Sequence, residues 1–190
     1  MLSRVSPARG TSYIALLRAV NLAGKNAVAM ATLRDLPATL GFTEARTLLQ
    51  SGNLLFRGPA RKTANVEREL HEAAKARLRV ETDFFVRTAA EWDELVAVNP
   101  FTREAKTDPG HLIVMPFSAV PGKDAPAALQ GAIQGNEVFR VVGRTGYFVY
   151  PDGVGRSRLT LALIERKLGV RGTGRNWNTV LKIAAALEAG

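Results

Sequence analysis

The chain has 190 residues, of which 46% are hydrophobic and 23% are charged, the composition of an ordinary globular protein. It contains no cysteine and only two histidines, which excludes disulfides, thiolate catalysis, zinc fingers and a His-rich metal site. The formal net charge is +9. We expect a basic, cytoplasmic protein of one large or two small domains, with no metal and no cofactor.

The first eleven residues predict a flexible basic tail. Arg4, Pro7 and Arg9 lie there among small residues, and the apolar run of a signal peptide is missing. No stretch approaches the roughly 18 consecutive apolar residues that a membrane span requires. We therefore expect no membrane partner, and the oligomeric state stays open.

Residues 12–87 show the element order βαββαβ, judged from apolar spacing and turn residues. The predicted strands are Tyr13–Ala19, Arg46–Gln50, Leu54–Arg57 and Glu81–Arg87, and the predicted helices are Leu33–Leu40 and Asn65–Leu78. Pro37 predicts that the first helix is short or kinked, because an interior proline removes a hydrogen bond. His71 flanks the apolar stripe of the second helix and is expected to be solvated.

Residues 88–110 predict a connecting helix and loop, and residues 111–190 repeat the first element order with an extra C-terminal helix. The predicted strands are His111–Phe117, Val138–Val142, Tyr147–Tyr150 and Val170–Thr173, and the predicted helices are Thr88–Val98, Ala125–Ile133, Leu159–Leu168 and Trp177–Leu187. The residues expected to cap helices are Thr88 with Glu91, Ser157, and Asn176. We predict an α+β fold of two ferredoxin-like α/β plaits, antiparallel sheets with helices on one face, packed as one unit.

Five segments in order resemble one protein family. They are Ala15–Asn21, Gln50–Asn53, Asn99–Phe101, Pro151–Ser157 and Thr173–Thr179. Together they are similar to the bacterial family catalogued as domain of unknown function 1697, over about Tyr13 to Ala186. The resemblance implies paired α/β-plait subdomains, and it implies no activity, cofactor or catalytic residue. Pro37 departs from the family pattern.

The positive charge is concentrated in one region. Residues 140–182 contain nine basic and two acidic side chains, a net charge of +7, and the rest of the chain carries +2. A regional excess of positive charge favours an anionic partner, whereas an evenly spread charge mainly favours solubility.

We predict an anion site at one edge of the second plait, formed by the segments Pro151–Ser157 and Thr173–Thr179. In the predicted sheet, the strands of this half lie in the order 4-1-3-2. This order places both segments and His111 at that edge, with the two loops about 10 Å apart. The candidate ligand-binding residues are Gly153, Gly155, Arg156, Ser157, Arg175, Asn176, Asn178 and His111. The alternative is a tight turn followed by ordinary helix caps. On the anion hypothesis, replacing Arg156 or Arg175 with lysine weakens anion binding and leaves the fold intact.

A second polar cluster is expected where the first strand of the first plait ends beside a hairpin turn. Its members are Arg18, Asn21, Gln50, Ser51 and Asn53. We favour a structural role, because hairpin tips and strand ends are normally polar. Alternatively, Arg18 is the buried donor that satisfies the carbonyls of the hairpin.

Three function classes remain open. The first is a module that binds a small anionic ligand or a nucleic-acid backbone. The second is an enzyme for a phosphorylated or acyl substrate, in which Arg156 and Arg175 hold charge and His111 is the acid or base. The third is a protein-interaction module. RNA recognition by the aromatic strand Gly146–Tyr150 is a weaker alternative, because aromatic strands usually belong to the core.

Overall fold

A computed structural model describes residues 10–18, 30–49 and 52–189 of the chain. The first half contains β1 (Thr11–Leu17), α1 (Met30–Asp35), β2 (Thr43–Leu48), β3 (Asn53–Gly58), α2 (Thr63–Leu78) and β4 (Phe84–Thr88). Two helices, α3 (Ala89–Ala97) and α4 (Glu104–Thr107), connect the halves. The second half contains β5 (Leu112–Pro116), α5 (Ala125–Gln130), β6 (Val138–Val142), β7 (Thr145–Val149), α6 (Leu161–Leu168), β8 (Arg175–Asn176) and α7 (Trp177–Glu188).

Each half forms a four-stranded antiparallel sheet, and the two sheets have matching strand orders. These orders are β2-β3-β1-β4 and β6-β7-β5-β8. In each sheet the first strand of its half pairs with the third and the fourth, which is the order of an α/β plait. The predicted fold of two α/β plaits is therefore confirmed.

Three apolar cores hold the layers together. Helices α1 and α2 pack on the outer face of the first sheet, and α5 and α6 pack on the outer face of the second. The inner faces of both sheets share a central core with α3 and α7. Within this core, the indole Nε1 of Trp92 donates to the carbonyl of Val180 at 3.1 Å, which joins the two helices. No helix within the described segments is long and apolar enough to span a membrane.

Pro37 divides the first helical segment, as predicted. The α1 helix ends at Asp35, and a 3₁₀ helix of four residues, Pro37–Leu40, follows it. Gly41 then ends this segment with a φ of 80°, a backbone conformation that glycine adopts without strain. The proline permits the 3₁₀ helix because it stands at the first position, where no amide hydrogen is needed.

The predicted last strand, Val170–Thr173, is wrong. The fourth strand of the second sheet is β8, in which Arg175 pairs with Val114 and Asn176 pairs with Ile113. Within residues 170–173, Gly172 makes only an isolated bridge to Phe117. The strand β8 runs directly into α7. Asn176 pairs in the sheet, and its side chain caps the helix by accepting from Thr179 N at 2.9 Å.

Helix capping agrees with the sequence at two of three positions. Thr88 and Glu91 form the predicted capping box of α3, and Asn176 caps α7. Ser157 does not cap α6, because Thr160 accepts from Leu163 N there. The Ser157 hydroxyl instead donates to Glu137 and accepts from Leu159 N.

Candidate functional site

The backbone of the second plait brings His111 and the Gly153 loop to one edge of the sheet, as predicted. His111 lies directly before β5, Tyr150 lies directly after β7, and Tyr150 N donates to the carbonyl of His111 at 2.9 Å. A Cβ atom at Gly153 would stand 3.6 Å from Nε2 of the His111 ring, and the φ of Gly153 is +84°. The imidazole therefore packs beside this glycine.

The amides of the Gly153 loop are largely used within the loop. The N–H groups of Gly153, Arg156 and Ser157 donate to carbonyls of the same segment at 2.9 to 3.3 Å. A phosphate cradle requires such N–H groups to point outward, so three of the donors needed for the predicted cradle are already occupied. The side chain of Arg156 is exposed, and Gly155 has open space around it.

The other predicted residues of this edge are divided between free and occupied side chains. Nδ1 of the His111 ring lies 2.8 Å from Asp108 Oδ2, and the His111 side chain is 44% exposed. Asn178 is exposed on the first turn of α7, whereas the side chain of Asn176 is occupied as the cap of that helix. The edge thus presents Arg156, His111 and Asn178 to solvent.

Arg175 turns away from this edge and reaches into the first half. Its partner across the ladder is Val114, whose side chain belongs to the central core, so the arginine faces the first sheet. Nε donates to Asn53 Oδ1 at 2.7 Å, and Nη2 donates to the carbonyl of Leu17 at 3.1 Å. Burial lowers the pKa of Arg175 to about 10, so the side chain remains charged at neutral pH.

The contacts of the second polar cluster are structural within the described residues. Asn53 is fully buried and donates to the carbonyl of Leu48 at 2.9 Å while it accepts from Arg175. Arg175, and not Arg18, donates to the hairpin carbonyl of Gly52, at 3.4 Å. Three predicted members, Asn21, Gln50 and Ser51, lie outside the described residues.

A groove of about 380 Å³ opens between the two halves. We call it the inter-half groove. Its polar lining residues are Glu67, Arg68 and His71 from α2, Asp83 just before β4, and Ser118 and Arg171 from the second half. This volume lies in the range of about 300–1,000 Å³ that is typical of small-molecule sites.

Arg171 stands at this groove as an anchored but accessible cation. Its Nη2 lies 2.5 Å from Asp83 Oδ2, and its side chain is 57% exposed. The backbone on both sides is fixed, because Ser118 N donates to the carbonyl of Arg171 and Arg171 N donates to Ser118 Oγ. One nitrogen of the guanidinium is therefore held by a carboxylate, while much of the side chain remains accessible to solvent.

The sequence predicts that His71 is solvated, and the structure differs. This residue is half-buried, and its Nδ1 lies 2.7 Å from the carbonyl of Thr82. A carbonyl only accepts hydrogen bonds, so Nδ1 carries the hydrogen, and in the neutral ring Nε2 is the acceptor. The contact with Thr82 fixes the orientation of the ring on the groove wall.

Glu67 lines the groove and is paired with Arg87, which lies outside the groove lining. Glu67 Oε1 accepts from Val86 N at 2.8 Å and from Arg87 Nη1 at 3.5 Å. Burial raises the pKa of Glu67, against the opposing effects of the Val86 amide and the Arg87 guanidinium. Burial lowers the pKa of Arg87 to about 10. In the described part of the chain, no group of three or more acidic or histidine side chains could hold a metal ion.

The sequence contains only partial signals for this groove. Glu67 and His71 are four residues apart on α2, which places them on one helix face. Arg171 belongs to the region of excess positive charge. Asp83 and Ser118 show no local pattern, because they meet only when the two halves pack together.

Comparison with known proteins identifies the family and the fold. Residues 11–147 match the family described as "Protein of unknown function (DUF1697)". A search of curated proteins found no match. The structure is similar to that of the conserved bacterial protein SP0830 from Streptococcus pneumoniae, with a TM-score of 0.71 and 21% sequence identity, covering 93% of this chain and 98% of that one. The chain therefore belongs to the DUF1697 family of proteins of unknown function.

Proposed function

We propose that the protein binds a small anionic ligand in the inter-half groove. The observation that carries this proposal is the exposed guanidinium of Arg171 at a groove of about 380 Å³. Arg68 lines the same groove from α2, is exposed, and makes a contact of 3.5 Å with Asn65. A guanidinium presents planar paired donors that match two oxygens of a phosphate or carboxylate.

The charges around the groove favour an anion. Two arginines, Arg68 and Arg171, and two carboxylates, Glu67 and Asp83, line the groove. Both carboxylates are paired with arginines, Glu67 with Arg87, and Asp83 with Arg18 and Arg171. Arg68 makes no ion pair within the described residues, so its charge is available to attract an anion.

The edge of the second plait supports a second location for the same chemistry. Arg156 is exposed there and makes no ion pair within the described residues, and the Asp108–His111 pair stands beside Gly153. The enzyme hypothesis from the sequence depends on His111 of this pair as the acid or base. The test below therefore includes Arg156 as a competitor.

The test is ligand-induced thermal stabilisation with phosphate, phosphomonoesters and carboxylates. We expect saturable stabilisation of the parent protein, and affinities about 5-fold to 30-fold weaker in Arg171→Lys and Arg68→Lys, because lysine lacks the paired donors. Arg156→Lys, an equal substitution at an exposed arginine outside the groove, leaves the affinity unchanged.

Two results would contradict the proposal. If none of these anions stabilises the parent, the protein has no such site. If Arg156→Lys weakens binding while Arg171→Lys and Arg68→Lys do not, the anion binds at the edge of the second plait and not in the groove.

A further inference from the structure

The ring of His71 has one nitrogen occupied and one available. Nδ1 donates to the carbonyl of Thr82, so Nε2 is the acceptor of the neutral imidazole. No side chain or amide within the described segments donates to this atom. His71 is half-buried and lines the groove, so this nitrogen is open to a hydrogen bond from water or from a ligand.

The neighbours of His71 in the groove are already engaged elsewhere. Glu67, one turn earlier on α2, accepts from Val86 and Arg87. Asp83 is held by Arg171 at 2.5 Å, and Ser118 Oγ accepts from Arg171 N. With Nε2 unprotonated, the imidazole offers the groove an acceptor beside the cationic donors Arg68 and Arg171.

The size of the groove also argues against a bare inorganic ion as its ligand. A single phosphate or carboxylate group fills only a small part of about 380 Å³. A ligand that fills this space extends well beyond its charged group. The lining offers such a ligand donors for an anion and an acceptor for a hydroxyl.

Building on the proposed anion site, we propose that the natural ligand is a small anion that also carries a hydroxyl group. Its phosphate or carboxylate contacts Arg68 and Arg171, and its hydroxyl donates to Nε2 of His71. This arrangement selects hydroxylated phosphomonoesters or hydroxy acids over their deoxy counterparts, because the deoxy ligand leaves Nε2 without a donor.

The test compares matched ligands that differ by one hydroxyl. The first pair is 2-hydroxypropyl phosphate and propyl phosphate, and the second is lactate and propionate, so the two pairs separate phosphate from carboxylate recognition. Affinities are measured by calorimetric titration at pH 8, above the range in which imidazole ordinarily titrates. We expect the hydroxylated member of one pair to bind about 3-fold to 10-fold more tightly, the effect of one neutral hydrogen bond.

His71→Leu is expected to abolish this preference and to leave the affinity of the deoxy ligand nearly unchanged. Ala76→Leu, at an exposed position of the same helix, retains the preference and controls for altering α2. The nitrogen resonances of the His71 ring in the parent provide a readout that needs no substitution. We expect Nε2 to shift on addition of the hydroxylated ligand and not of its deoxy counterpart.

The outcomes separate the two proposals. If the parent binds both members of each pair equally, or if Nε2 does not respond, the role of His71 is wrong while the anion site stands. If no member of either pair binds, the anion site is wrong as well. A preference that survives His71→Leu would also contradict the inference.

Discussion

Arg87 and Arg175 occupy matching places in the two halves, and each guanidinium donates into the opposite half. In both cases one acceptor is a carbonyl at the end of the first strand of the other half, and another is a carbonyl in its hairpin turn. The acceptors are Phe117 O and Arg144 O for Arg87, and Leu17 O and Gly52 O for Arg175. The two arginines are reciprocal braces across the interface between the sheets.

The backbone around the two braces repeats as well. Leu17 N donates to Gly52 O at 2.9 Å, and Phe117 N donates to Arg144 O at 2.8 Å. Each hairpin carbonyl therefore accepts both from its own sheet and from an arginine of the other half. The two halves therefore repeat this pair of backbone and arginine hydrogen bonds.

These contacts predict a loss of stability when either brace is shortened. Arg175→Lys and Arg87→Lys are each expected to lower the free energy of unfolding by about 2–4 kcal/mol, because lysine cannot replace the several hydrogen bonds that each guanidinium donates to buried acceptors. Urea denaturation measures the change. Arg156→Lys, at an exposed side chain, is the matched control and stays within about 0.5 kcal/mol of the parent. An Arg175→Lys protein as stable as the parent would show that the brace has no structural role.

Glu67 is expected to make stability depend on pH. Burial raises its pKa in the folded state, so its contribution is fully present below its ordinary pKa of 4.5 and is lost as the pH rises through the folded pKa. Glu67→Gln mimics the neutral acid. This variant should therefore gain stability relative to the parent between pH 4 and pH 7, measured by urea denaturation.

The control for this pH effect is Glu72→Gln, at an exposed position of the same helix. It should follow the parent across the pH range. A difference between Glu67→Gln and the parent that is constant, or that changes in the opposite direction, would contradict the prediction.

Asp83→Asn is expected to strengthen anion binding in the inter-half groove. The Asp83 carboxylate holds Arg171 at 2.5 Å and competes with a bound anion for the same guanidinium. Removing its charge should raise the affinity for phosphomonoesters or carboxylates about 3-fold to 10-fold. Asp124→Asn removes an equal charge at an exposed residue that does not line the groove, and should leave the affinity unchanged in the same titration. Equal effects of both variants would indicate a general charge effect and no local site.

Nucleic-acid binding stays a prediction, and the charges define its test. Six basic side chains between residues 140 and 182 make no ion pair within the described segments: Arg140, Arg156, Arg158, Arg166, Lys167 and Lys182. If all six contact phosphates, affinity should fall about 10³-fold between 50 and 200 mM salt, with little sequence preference. Fluorescence anisotropy with random RNA and DNA measures this, and undetectable binding at 50 mM salt would exclude a nucleic-acid partner.

Local sequence patterns determined the halves of this protein and most of their elements. Apolar spacing predicts the strands and helices, Thr88 and Glu91 predict the start of α3, and Pro37 predicts the break in the first helical segment. These features depend on contacts within a few residues, which the sequence displays directly. The sheet order then follows from the plait topology, and it places His111 beside the Gly153 loop.

Tertiary structure alone decided what the polar side chains do. Arg175 has the same local sequence whether it faces solvent or the first sheet, and only the packing of the two sheets turns it toward acceptors more than a hundred residues away. The inter-half groove arises in the same way, because Asp83 and Arg171 meet only across the interface. Hydrogen bonds and ion pairs between distant segments depend on how whole sheets pack, and local periodicity carries no information about that.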